Sequence, residues 1–307
     1  MISAIIISIF ASFLLGMTNH IDKFVINGLD TSHKSIKTIL VFSTLITGLI
    51  FVPIWFIICQ FKVTISTISL IIIPLASLTY TLSLYLYYKA LDKNEPSIIV
   101  IMYQLMPVFS YILSLIFLNE NLTLQQIIGS LIIISSTIII LLDLSDKKEK
   151  RKLKFRALIL MIFSSLLSAI YFILFDFAIR HNSYNSCIFS HQLSLLIIGI
   201  ILINIKSFKD SFLSCIKNNG KKYISLNIFN DTLYISSNLL VHFANLTIPI
   251  ALANVLNGFQ GAFVFIIGVI GRKLFPKYFN EEITHKAIIQ KIACIILSII
   301  GLIIIFI

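Results

Sequence analysis

The sequence from Asn227 to His242 places a carboxylate among amides, a phenol and an imidazole. Asn227, Asp231, Tyr234, Asn238 and His242 recur every three or four residues, so a helix brings them to one face, with Asn230 and Ser237 at its margins. The residues between them are mostly Ile, Leu, Phe and Val. A carboxylate in hydrocarbon costs at least about 2.5 kcal/mol, so it faces protein or a water-filled cavity. Such a face could bind a cationic or zwitterionic solute, or hold a coupling proton. A hydrogen-bonded seam between helices would use the same residues.

Two further groups invite the same question. Asn19, His20, Asp22 and Lys23 close the first apolar segment, and Asp176 closes the sixth. Lys23 and Asp176 each follow a matching position by seven residues, so they are candidates to pair or to mark two ends of a pocket. Side chains near helix ends also snorkel to the headgroups, which is the plainer reading of both. His20 is a second proton-coupling candidate beside Asp231, though a lone histidine is more often a packing residue. In the fourth segment Tyr103, Gln104, Pro107, Ser110 and Tyr111 lie near one another, and in the ninth Asn254, Asn257, Gly258 and Gly261 make a small polar face. Pro107 removes one backbone hydrogen bond, which a cavity tolerates and lipid does not. The candidate solute-binding residues are therefore Asn19, Lys23, Tyr103, Gln104, Tyr111, Asp176, Asn227, Asp231, Tyr234, Asn238, Asn254 and Asn257.

What must position these side chains is a membrane-embedded bundle. Of 307 residues, 58% are hydrophobic and 12% charged, and mean hydropathy is +1.00. A soluble domain carries roughly twice that charge. Apolar runs near the bilayer-spanning length of about 20 residues recur. They predict ten spans: Ile2–Ile26, Ile36–Cys59, Ile65–Leu91, Ser97–Leu118, Leu122–Leu142, Phe155–Ile179, Asn185–Ile205, Tyr223–Phe243, Ile250–Ile270 and Ala287–Ile307. The first span has no basic leader before it and no small-residue cleavage site after it, so it reads as a span and not a signal peptide. Between spans the longest polar stretches, Asp143–Lys154 and Lys206–Lys222, read as basic loops.

The chain also repeats itself. Leu118-Asn119-Glu120-Asn121-Leu122-Thr123 is echoed by Asn280-Glu281-Glu282-Ile283-Thr284, Gly16 aligns with Ala169, and Pro96 with Pro249. The predicted organisation is a first five-helix repeat over 1–143, a basic connector over 144–154 and a second repeat over 155–307. Five is odd, so the halves lie inverted in the membrane, an arrangement common among alternating-access carriers. Glu120 and Glu281 read as charges at helix N-termini.

The charge of +11 is distributed by topology. Loops after odd-numbered spans hold nearly all the Lys and Arg, those after even-numbered spans only Lys62 and Arg180. The positive-inside rule then puts the odd loops in the cytoplasm and both termini outside. This accounts for the basic balance without nucleic acid.

Tyr87-Tyr88-Lys89-Ala90, Pro96, Tyr103-Gln104, Pro107-Val108-Phe109 and Leu118-Asn119-Glu120 through Gly129 resemble the EamA-type repeat of the drug/metabolite transporter superfamily. The second half departs from the pattern, with Gln260 at the proline position and extra residues around Phe275-Pro276-Lys277, and the usual Trp-Gly of the first helix is Leu15-Gly16. The resemblance implies ten helices, an inverted repeat and solute carriage without ATP. No Gly-rich nucleotide loop, His-Glu-x-x-His or Cys/His zinc spacing occurs in the sequence, and Cys59, Cys187, Cys215 and Cys294 are scattered. The expectation is a cofactor-independent secondary transporter in a bilayer, expected to be a bacterial inner membrane. It would move a small polar or amphipathic metabolite, such as an amino acid or nucleotide derivative, with a proton or an exchanged solute as its partner. The rival readings are an integral-membrane enzyme acting on lipid or isoprenoid substrates and a non-transporting scaffold subunit.

Overall fold

The computed structural model describes residues 2–28, 35–118, 123–141, 148–245, 256–279 and 281–306, and among them the secondary structure is helical. Helix α1 is Ile2–Gly28. The second span is α2 (Ser35–Val41) and α3 (Thr47–Ile58) joined through a π-helical turn at Phe42–Ile46. Then come α4 (Ser69–Lys93), α5 (Pro96–Tyr103), α6 (Leu105–Leu118), α7 (Leu124–Leu141), α8 (Lys148–His181), α9 (Tyr184–Asn204), α10 (Lys206–Asn245), α11 (Gln260–Leu274) and α12 (His285–Phe306). Eight helical segments among the described residues are long and apolar enough to cross a bilayer.

Three expectations change. Lys206–Lys222 is helix, not loop: it runs without interruption into the predicted eighth span as the first part of the 40-residue α10. Its Phe208, Phe212, Cys215 and Ile216 pack on the bundle core, and that apolar periodicity beneath a basic surface supports a helix where composition alone suggested a loop. The residues Lys148–Lys154 likewise form the first turns of α8. The predicted fourth span is two helices broken at Gln104, just ahead of Pro107. A proline lacks the N–H that would bond the carbonyl one turn earlier, which is Tyr103, so the break falls where the sequence cannot complete the ladder. The predicted ninth span begins within 246–255, outside the described residues, and its described helix is the 15-residue α11.

The packing is cross-half. α4 lies along α8 and α1 along α10, while α7 pairs with α12 and α3 with α9. The α7–α12 crossing is close because Gly129 and Gly301 meet there: a Cβ on Gly129 would stand 2.6 Å from Gly301 O. Small residues let helix backbones approach where lipid supplies no hydrophobic drive. The main core gathers α1, α2, α4, α5, α8 and α10, with Phe42 packed 5.0 Å from the rings of Phe212 and Tyr223.

Candidate functional site

The α1–α10 pairing carries a chain of hydrogen bonds between residues far apart in sequence. Gln260 Nε2 donates to Asn19 Oδ1 at 2.8 Å, and Asn19 Nδ2 donates to Tyr87 Oη at 2.8 Å. Tyr87 OH reaches Asp22 Oδ2 at 3.3 Å, and Asn230 Nδ2 donates to Asp22 Oδ1 at 2.7 Å. The adjacent Asp231 accepts from the Thr47 hydroxyl just after the π-helical turn. Asp22 and Asp231 are near enough to repel each other. Among the described residues neither carboxylate forms an ion pair with Lys, Arg or His.

Next to Asp231 lies a tyrosine wall. Tyr234 from α10 and Tyr171 from α8 lie within electrostatic reach of each other and of both Tyr80 from α4 and Tyr103 from α5. Tyr80 is hydrogen-bonded to Tyr234, the Tyr80 and Tyr171 rings are 5.1 Å apart, and Tyr103 OH donates to Ser168 Oγ at 2.9 Å. His191 closes the side, its ring 5.4 Å from Tyr171 and its Nδ1 2.8 Å from Ser77 Oγ. All four tyrosines and Asp231 are partly exposed.

Several proposed site residues fall elsewhere. Lys23 and Asp176 are not brought together. Lys23 Nζ donates to Leu91 O at 2.6 Å and Asp92 O at 2.8 Å, at the C-terminal end of α4. Asp176 is exposed and pairs with Arg180 at 2.8 Å, in the helical end whose Asn182 contacts Ser69 at the start of α4. The length of α4 separates them, roughly 35 Å at helical rise. His20 turns its Nε2 to Val264 O at 2.7 Å and its ring to Phe279. Asn227 is buried and donates to Tyr223 O, while Asn238 is exposed and donates to Tyr234 O. Tyr111 packs on the Leu105–Val108–Ile133 cluster, and among the described residues Asn257 receives a long 3.5 Å contact from Ser12 Oγ. Asn254 lies outside the described residues, as does the side chain of His242.

Glu281 is more than a helix-end charge. It is buried, receives the Ser97 hydroxyl, and pairs with Lys291 at 2.6 Å, while Lys291 also pairs with Glu95. Burial pushes the Glu281 carboxyl above the usual range, against the pull of the Lys291 ammonium. Gly268 makes room for it, since a Cβ there would stand 2.9 Å from Glu281 Oε2. Glu95 and Ser97 flank the start of α5, so this knot ties α5, α11 and α12 together at one end of the bundle. A cleft of about 530 Å³ also opens between chain segments around Lys37, Lys89, Arg156 and Asp210; the Asp22–Asp231 network does not line it.

Of the helices that build the tyrosine wall and the Glu95 knot, α4 and α5 lie in the first half of the chain. Residues 2–142 match the EamA-like transporter family. EamA-like proteins fall within the drug/metabolite transporter superfamily, and the resemblance carried by Tyr87, Pro96, Pro107 and Gly129 is borne out. No curated protein matches the chain. A solved structure titled "Crystal structure of protein" is 15% identical, with a TM-score of 0.42 over 86% of this chain and 99% of that one, too distant to bear on the argument. Sequence reading singled out Asn19, Asp231 and Tyr234, but not Thr47, Tyr80, Tyr87 and Tyr171 as partners. These lie in segments rich in Tyr, Ser and Thr, with no spacing that marks them out.

Proposed function

We propose that this protein is a secondary carrier for a small polar or amphipathic metabolite, working by alternating access without ATP. The observation that carries this reading is the buried polar network from Gln260 through Asn19, Tyr87 and Asp22 to Asn230, with Asp231 beside it, where α1 and α4 meet α10 and α11. Polar groups in a membrane bundle concentrate where solutes pass. The EamA-like match over the first half supports the same class.

The ten-span inverted-repeat arrangement belongs to this proposal, with repeats over 1–143 and 155–307 about the connector 144–154. Its support is the reciprocal packing: under a swap of halves the α1–α10 contact becomes the α8–α4 contact, and both are extensive. A bacterial inner membrane is the proposed location. The carrier reading is tested by reconstituting the purified protein alone in liposomes and measuring uptake across a metabolite panel. Substrate-dependent, saturable flux is expected; its absence from a folded, monodisperse sample would sink the reading.

For orientation we propose that the basic arm Lys206–Lys222 faces the cytoplasm. Lys221 is exposed. In intact cells Lys221→Cys should resist a membrane-impermeant maleimide and react only after permeabilisation. Labelling from outside would reverse the topology.

A further inference from the structure

The charges of the site restrict what it can take. Asp22 and Asp231 come from different helices to within mutual repulsion, and among the described residues no basic side chain pairs with either. The closest candidate by sequence, Lys23, spends its ammonium on the carbonyls of Leu91 and Asp92. Asp22 is held by two donors, Asn230 and Tyr87, whereas Asp231 has one, the Thr47 hydroxyl. Asn230 must point its amide nitrogen at Asp22, which fixes its Oδ1 as a buried acceptor that takes no hydrogen bond among the described residues. The site thus offers Asp231, a carboxylate with a single hydrogen-bond donor, within electrostatic reach of Tyr234, whose phenol is bonded to Tyr80 and so joins the Tyr80–Tyr171 ring pair. Aromatic faces attract cations through their negative quadrupole. An anionic solute would meet two carboxylates there that, among the described residues, no Lys or Arg pairs with.

We propose that the substrate class is an organic monocation, an amine or amine-bearing molecule. Its ammonium would sit on Asp231, and its apolar body would lie against the tyrosines contributed by α4, α8 and α10. This deepens the carrier reading and rests on it. Asp22, already satisfied by Asn230 and Tyr87, contributes field and not contact. A zwitterion qualifies only if its carboxylate lies away from Asp22 and Asp231.

The test is calorimetric binding to the purified wild-type protein in detergent, with three probes of similar size: benzylammonium, benzyl alcohol and benzoate. Benzylammonium should bind more tightly than benzyl alcohol by about ten-fold or more, and benzoate more weakly than either. Asp231→Asn should reduce the preference for the cation over the alcohol to about three-fold or less. Asp231→Glu should keep the preference, and Tyr171→Leu should weaken the cation more than the alcohol. Thermal unfolding establishes that each variant is folded. A cation preference that survives in folded Asp231→Asn, benzoate binding as tight as benzylammonium, or no binding by any probe below about 10 mM would overturn the inference. Flux of a neutral or anionic solute without amine binding would overturn the substrate class and keep the carrier. Amine binding without flux of any amine would do the reverse.

Discussion

Asp231→Asn should abolish substrate flux in liposomes, with at least about a hundred-fold loss, while the protein remains as stable as wild type or becomes more so. The sign follows from the residue's surroundings. An asparagine at 231 can still accept from Thr47 through its amide oxygen, so the link between α10 and the second span survives. What disappears is a charge that costs several kcal/mol to hold within a membrane and has no basic partner among the described residues. If Asp231 only joined helices, the substitution, which keeps the Thr47 bond, would leave both stability and flux near wild type. Thermal unfolding in detergent and initial rates of flux on the same preparation separate the cases. Wild-type rates in Asp231→Asn would remove the residue from the mechanism.

The second large effect is expected at the other end of the bundle and should be opposite in kind. Lys291→Met should destabilise the protein by about 3–5 kcal/mol, because it strands the carboxylates of Glu281 and Glu95. Glu281 has the least escape, being 1% exposed at its side chain. Adding Glu281→Gln and Glu95→Gln to Lys291→Met should restore most of the loss, since three neutral groups of similar size carry no unpaired charge. Denaturant or thermal unfolding measures both variants. A single variant within about 1 kcal/mol of wild type would show that the knot holds little.

The bilayer class and the family match of the first half were legible because they depend on local composition and motif spacing. Asp231 and Tyr234 share a face by arithmetic alone. The partners were not legible for the opposite reason. Asp22 is bonded by Tyr87 and Asn230, 65 and 208 positions away, and one sequence holds no record of which helices touch. Near a helix end, Asp22 has the same local signature as a snorkelling surface acid. Lys23 and Asp176 misled in a related way. Matching positions in a repeat need not be neighbours, and these two lie at opposite ends of α4. Glu281 looked like a helix-end charge because its counter-ion, Lys291, sits ten residues on inside an apolar run.

The uninterrupted course of α10 has mechanical meaning. Asp210 borders the basic cleft and Asp231 borders the tyrosine wall, yet both belong to one helix with no joint between them. Roughly 30 Å of stiff rod separates them. A rocking of about 10° pivoting at Asp231 would swing Asp210 through about 5 Å at that length. In the proposed carrier, whatever grips the basic arm would therefore have leverage on the acid site, and a solute that shifted Asp231 would be felt at the cleft.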